Sequence, residues 1–250
     1  MTAVQPLVRR SLVDLLTEKL REEILSGRYK KGATLPPERE LAESLRVNRT
    51  SLKHALTRLE QLGLIAIRHG IGSIVLDPTE TAGAELIAHL VFREQGIDGK
   101  MLGDLIEART LLGGFLARLA AERCHPEDLD RMDALIAQLA DESLPLADVQ
   151  RLELEFFRAS LLATNNTVFA LLANSMFSVY RSRASMFEDA FIDRAFVHQS
   201  VTRIRDAIED GDSTGAERAA LDYLRENGQR LVSAAVSRMS EEPKREKGRK

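Results

Sequence analysis

Apolar residues set the first elements of the chain. Leu12, Leu15, Leu16, Leu20 and Ile24 recur at the three- and four-residue intervals of one helix face, which predicts a helix over 11–26 closed by Gly27. Pro36-Pro37 followed by Glu38, Arg39 and Glu40 reads as a second helix start, with proline in the first turn and acids at the positive end of the dipole. This helix is short, 37–45. Asn48 is a candidate N-cap for a third helix, 49–61, whose Leu52, Ala55, Leu56 and Leu59 share one face. Two β-rich runs, 64–68 and 73–76, flank a loop containing Gly70 and Gly72 and predict a hairpin. Asp77-Pro78 breaks the pattern and marks a candidate domain boundary.

Beyond residue 78 the periodicity is helical almost throughout. The predicted pieces are 80–94, 101–123, 126–141, 146–163, 166–188, 190–210 and 213–238. The expected fold is mainly α. A winged helix-turn-helix of three helices and a β-hairpin spans 8–77, and an antiparallel seven-helix bundle spans 78–239. Residues 240–250 carry no apolar side chain and are expected to be a disordered basic tail.

Composition sharpens this picture in two places. The net charge of −3 is unevenly spread: residues 1–76 carry +5 and the last ten +2, which leaves −10 for 77–240. A basic head on an acidic body directs a polyanion to the head. The single cysteine, Cys124, allows no intrachain disulfide. Together with the absence of a signal-like start or a ~20-residue apolar run, it fits a cytoplasmic protein without a membrane span. No glycine-rich phosphate loop and no Ser/His/Asp or Cys/His motif is present, so no enzyme activity and no cofactor are expected.

A helix that enters the major groove needs polar and basic side chains at its exposed N-terminal end. Asn48, Arg49, Thr50, Ser51 and Lys53 supply them: Arg49 and Lys53 as donors to guanine, Thr50 and Ser51 for phosphates, Asn48 as an adenine partner or simply as the cap. His69 and Gly70 at the hairpin loop suit a minor groove, where a small residue lets the backbone approach. Arg39 is either a further cation or the i,i+4 partner of Glu43.

These residues carry a resemblance. Residues 35–56 (LPPERELAESLRVNRTSLKHAL), 59–65 (LEQLGLI) and 68–72 (RHGIG) closely resemble the DNA-binding domain of GntR-family regulators over about seventy ungapped residues. The resemblance implies DNA contacts at Arg39, Asn48, Arg49, Thr50, Ser51, Lys53, His69 and Gly70. Lys53 stands where that family usually has arginine, which keeps the charge but loses the two-pronged donor.

An acidic helical body after such a head resembles the FadR-type arrangement, which has two effector-domain classes. One holds a divalent metal with an aspartate and three histidines. The corresponding positions here are Glu153, Phe157, Val201 (with His198 one turn away) and Tyr223, a set unsuited to a metal. The other class, fatty-acid-responsive, binds long-chain acyl-CoA. Residues 78–87 (PTETAGAELI), 105–110 (LIEART), 157–166 (FRASLLATNN) and 172–183 (LANSMFSVYRSR) resemble it. By that resemblance Arg109, Tyr180 and Tyr223 fall on ligand-region positions, and Arg183 is a nearby cation added on chemistry. The Gly-x-x-Ser segment of that class reads Leu224-Arg-Glu-Asn227 here, which puts Asn227 at the ligand and bulk at the CoA end. On the residues alone, Arg109 reads equally as the partner of a buried helix acid, and the two tyrosines as packing.

The expected function is a homodimeric, sequence-specific DNA-binding transcription regulator. It acts as a repressor on a palindromic operator and is controlled by a small-molecule effector such as an acyl-CoA. The alternatives are a regulator that responds to a carboxylic acid or other metabolite, and an acyl-CoA-binding protein that does not bind DNA.

Overall fold

The computed structural model describes residues 11–93 and 96–246, apart from the side chains of 175, 179, 182 and 239–246. Two compact units divide at Glu94/Gln95.

The first unit opens with α1 (Leu12–Leu25). Ser11 and Asp14 form a reciprocal cap at its start: the Asp14 N–H donates to Ser11 Oγ at 3.1 Å, and the Ser11 N–H donates to Asp14 Oδ2 at 2.9 Å. Next come α2 (Glu38–Leu45) and α3 (Arg49–Gln61). Strands β1 (Ile65–Arg68) and β2 (Gly72–Val75) pair antiparallel, with Ile65 opposite Val75 and Arg68 opposite Gly72. A bridge between Thr34 and Ile74 seats the α1–α2 loop on this hairpin. Leu20, Leu52, Leu56, Leu59, Leu64 and Ile65 form the centre of the core, each at most 1% exposed. Leu20 and Ile24 of the α1 stripe meet Leu52, Leu56 and Leu59 of the α3 stripe in one cluster, whereas Leu12 and Leu15 in the first turns of α1 are exposed.

The boundary expected at 77/78 is corrected. The chain continues through α4 (Pro78–Thr81), a 3-10 turn (Ala84–Leu86), α5 (Ile87–Val91) and β3 (Phe92–Arg93). Leu86 is 1% exposed within the head core, and Ala82 and Leu90 pack against that same cluster. Lys31 Nζ reaches Asp77 at 3.0 Å and Glu80 at 2.8 Å, and Thr81 Oγ1 donates to the Gly63 carbonyl at 2.7 Å. Asp77-Pro78 is thus a helix cap and first turn inside the unit. The piece expected as one helix over 80–94 is divided, with residue 94 outside the described residues. Residues 8–10 of the expected head also lie outside them.

The second unit begins with β4 (Gly96–Ile97) and α6 (Gly99–Arg123). It continues with α7 (Pro126–Leu139), α8 (Leu146–Leu162), α9 (Thr167–Ser182), α10 (Arg194–Glu209) and α11 (Ser213–Glu246). Two 3-10 turns, Ala184–Met186 and Glu188–Phe191, take up the expected helix beyond 182. Among the described residues this unit has six long helices, because the first piece of the expected bundle belongs to the head. α6 and α11 approach closely: a Cβ on Gly113 would lie 2.2 Å from a Leu224 methyl, and one on Gly228 would lie 2.6 Å from Ile106. α11 runs to Glu246, past the expected start of a disordered tail at 240. Glu, Lys and Arg, which dominate this stretch of the sequence, are good helix formers by intrinsic propensity. Residues 247–250 lie outside the described residues.

Candidate nucleic-acid interface and effector pocket

Helix α3 presents two faces. Leu52, Ala55, Leu56 and Leu59 are at most 1% exposed. Arg49, Thr50 and Lys53 are exposed on the other side, and Ser51 is half-buried. Asn48 Oδ1 accepts the Ser51 backbone N–H at 2.7 Å, so the cap reading of Asn48 holds. Its NH2 group makes no hydrogen bond among the described residues, and the residue is exposed. The cap thus fixes the helix end and leaves the donor facing outward.

His69 and Gly70 are exposed at the hairpin tip. Gly70 has φ 76°, and a Cβ there would meet nothing within 4 Å. Glycine is favoured at this position by the backbone angle and not by crowding.

The cations of the head fall into two sets. Lys19, Arg21, Arg28, Lys31 and Arg58 are held in ion pairs with Glu23, Glu18, Glu23, Asp77/Glu80 and Asp14. Arg39, Arg46, Arg49, Lys53 and Arg68 are exposed and make no ion pair among the described residues; Lys30 is likewise unpaired. Arg39 does not pair with Glu43. Arg39 is in the first turn of α2, Arg46 and Arg49 flank the N-cap of α3, Lys53 lies one turn further on, and Arg68 ends β1. Fixed positive charge without an internal partner therefore gathers on the elements that present Asn48 and the hairpin. Arg46 and Arg68 were not singled out from the sequence.

In the second unit, a polar network sits in the helical interior. Arg109 Nη2 of α6 donates to Glu153 Oε1 of α8 at 2.9 Å, and the Tyr223 hydroxyl of α11 donates to the same oxygen at 3.1 Å. Glu153 is 1% exposed and Tyr223 is fully buried. Burial pushes the Glu153 carboxyl up from its ordinary range, and Arg109 and the Tyr223 hydroxyl pull the other way. Burial also raises the Tyr223 and Tyr180 hydroxyls, with the Glu153 charge acting in the same sense, so both stay protonated. Phe157 stacks on Tyr223 at 5.7 Å, Phe196 lies 5.4 Å from the same ring, and the Arg109 guanidinium sits over Phe157 at 6.0 Å. Gln150 Nε2 donates to the Tyr180 hydroxyl at 2.8 Å and to the Ala184 carbonyl at 2.9 Å.

Several buried polar atoms have no hydrogen-bond partner among the described residues: Arg109 Nη1, Ser200 Oγ, and both the oxygen and the nitrogen of the Asn227 side chain. Asn227 is 0% exposed and one helical turn from Tyr223. Across the α6–α11 contact, Ile106 faces Gly228 and Gly113 faces Leu224, so Arg109 and Asn227 lie at the same level. Arg183, at the end of α9, is exposed.

Residues 12–75 match the family described as bacterial regulatory proteins, gntR family, and residues 104–226 match the FCD domain. The HTH-type transcriptional regulator Rv0494 of Mycobacterium tuberculosis is 35% identical over 230 residues, covering 92% of this chain and 93% of that protein. The chain belongs to the GntR family. It is a GntR-family transcription regulator with an FCD effector domain. It is also similar to the fatty acid metabolism regulator protein of Edwardsiella ictaluri, 32% identical over 65% of this chain and 66% of that one. Among solved structures, the Listeria monocytogenes regulator Lar matches with a TM-score of 0.57 and 16% identity over 89% of this chain and 97% of that one, a likeness of fold.

The positions tested for a metal in this GntR protein do not fit one. Phe157 offers no lone pair, Val201 is 0% exposed and apolar, and Tyr223 donates its proton to Glu153. Among the described residues no three His, Cys, Asp or Glu side chains gather as a metal site. Glu153 instead serves as the counter-ion of Arg109. The sequence placed Arg109, Tyr223 and Asn227 individually. The resemblance groups Glu153, Phe157 and Tyr223 only as metal positions; that Arg109 joins them as the ion-pair partner of Glu153, across a separation of 44 residues, follows only from helix packing. No helix among the described residues is long and apolar enough to cross a membrane.

Proposed function

We propose that this GntR regulator is a cytoplasmic homodimeric repressor that reads the half-sites of a palindromic operator and releases it on binding a small acidic effector. The observation that carries the DNA-reading surface is the partition of head cations. Lys19, Arg21, Arg28, Lys31 and Arg58 are neutralised in ion pairs, and Arg39, Arg49 and Lys53 on α2 and the first turns of α3 are left unpaired on the elements that carry Asn48, Thr50 and Ser51. Arg49 and Lys53, one turn apart, read base edges. Thr50, Ser51 and Arg39 hold phosphates, and His69-Gly70 enters the adjacent minor groove. The dimer reading is supported by exposed apolar side chains on α6 and α9: Leu111, Phe115, Val168, Leu171 and Leu172. The edge-to-face contact of Phe115 with Phe169 at 5.8 Å joins the two helices into one face, which we assign to a second copy.

For the effector, the orphaned donors of Arg109 and Asn227 beside Tyr223 support recognition of an anionic or carbonyl head group, with Tyr180 and Arg183 as further polar groups. The likeness to fatty acid metabolism regulators supports an acyl compound, with acyl-CoA as the first candidate. A free carboxylic acid is favoured by one observation: the Leu224 side chain is packed against Gly113 at the end where a CoA moiety would need room.

The test is selection of operators from a random duplex library, followed by gel shift of a selected fragment with long-chain acyl-CoA or the corresponding fatty acid added. Release by either compound is expected. A dimer that selects no sequence overturns the DNA reading and leaves the non-DNA acyl-binding protein. Selection without release by either compound overturns the effector assignment alone.

A further inference from the structure

The turn between α2 and α3 holds a residue that the fold does not favour. Arg46 has φ 55° and ψ 45°, the left-handed region. The turn demands it. The Arg46 N–H closes on the Glu43 carbonyl at 3.1 Å and the Val47 N–H on the Ala42 carbonyl at 3.0 Å, a helix ending that needs a left-handed residue at 46. Glycine takes that conformation without penalty and asparagine with little, whereas arginine brings its Cβ against its own backbone. Nothing among the described residues offsets this. The Arg46 side chain is exposed and makes no ion pair or hydrogen bond among the described residues, not even with Glu43 three residues earlier.

A strained, unpartnered cation two residues before the N-cap Asn48 has its explanation outside the chain. Resting on the DNA-binding reading above, we propose that Arg46 contacts a backbone phosphate of bound DNA beside the groove entered by α3. It is a positioning residue, with the strain of the turn as the cost of putting charge there. Being a phosphate contact, it adds affinity and salt dependence and leaves base preference alone.

The opposite signs of the two effects make the test. Arg46→Gly and Arg46→Asn are compared with wild type in thermal unfolding and in binding, across a salt series, to a duplex selected by the wild type from a random library. Both variants are expected to melt higher than wild type, to bind several-fold more weakly at 150 mM salt, and to show a log K against log salt slope shallower by about 0.9 per protomer. Base preferences stay those of wild type, and Arg46→Lys keeps most of the slope. Variants that melt higher yet keep the wild-type slope overturn the proposal, with Arg46 then facing some other partner or none. Variants that melt lower overturn its premise of strain. A wild type that binds no duplex removes the DNA reading and this contact together.

Discussion

Arg109 donates through Nη2 to a Glu153 carboxylate that is 1% exposed, and the second terminal guanidinium nitrogen, Nη1, is buried without a hydrogen-bond partner among the described residues. A buried pair of this kind contributes little as a pair, but breaking it from one side strands a charge. Arg109→Met should lose about 3–5 kcal/mol of stability in urea unfolding followed by circular dichroism. The double variant Arg109→Met, Glu153→Gln should recover most of it. A double-variant loss equal to the sum of the separate Arg109→Met and Glu153→Gln losses would show that the pair is not coupled.

The same pair makes a pH prediction. Burial raises the Glu153 carboxyl in the folded state, so its contribution is present below the unfolded value near 4.5 and is lost as pH rises through the raised folded value. Arg109 opposes that rise. Without it, folding favours the protonated acid more strongly, and the destabilisation of Arg109→Met should be largest near pH 8 and shrink toward pH 5. A penalty that does not vary with pH argues against a stranded carboxylate.

Two head carboxylates work in the opposite sense. Hydrogen bonds from Arg58 and Ser11 hold Asp14 at about 2, and those from Thr79 and Lys31 hold Asp77 at about 2. Depressed acids stabilise the fold above their unfolded value near 3.8, and that stability is lost as pH falls through about 2. Asp14→Asn and Asp77→Asn should each flatten the acid-unfolding curve of the protein between pH 4 and 2 and leave its dependence above pH 5 unchanged.

Asn48 carries two tasks that substitution separates. Asn48→Asp keeps an oxygen for the Ser51 N–H and should leave thermal stability near wild type. Asn48→Ala should cost about 1 kcal/mol. Both remove the outward NH2, so both should weaken specific DNA binding. Arg49→Ala should weaken it by about 1–3 kcal/mol with stability within about 0.5 kcal/mol of wild type. DNA binding undiminished in Asn48→Asp would leave Asn48 a cap alone.

The apolar face of α6 and α9 predicts its own assay. Phe115→Asp with Leu172→Asp should shift sedimentation from dimer to monomer and lower operator affinity while the helical signal persists. A double variant that remains dimeric would move the interface elsewhere.

The head was legible because its signals are local. Helix bounds read as 11–26, 37–45 and 49–61 appear as α1, α2 and α3 within a residue or two, since capping residues and apolar spacing act over a few positions. The domain boundary was not legible. Asp77-Pro78 is a strong local break, but Leu86 and Leu90 return to the head core, and that depends on packing across more than twenty residues.

The sequence by itself determined the elements, the GntR resemblance, the residues at the tip of α3 and the hairpin, and the unsuitability of Phe157 and Val201 as metal ligands, because side-chain chemistry and short-range periodicity suffice for these. Tertiary structure alone decided which cations are spent on ion pairs and which stay free. It also decided that Arg109 of α6, Glu153 of α8 and Tyr223 of α11 form one network, and that Arg46 sits in a left-handed turn. Each depends on which residues, distant along the chain or turned by the backbone, the packing brings within a few ångströms.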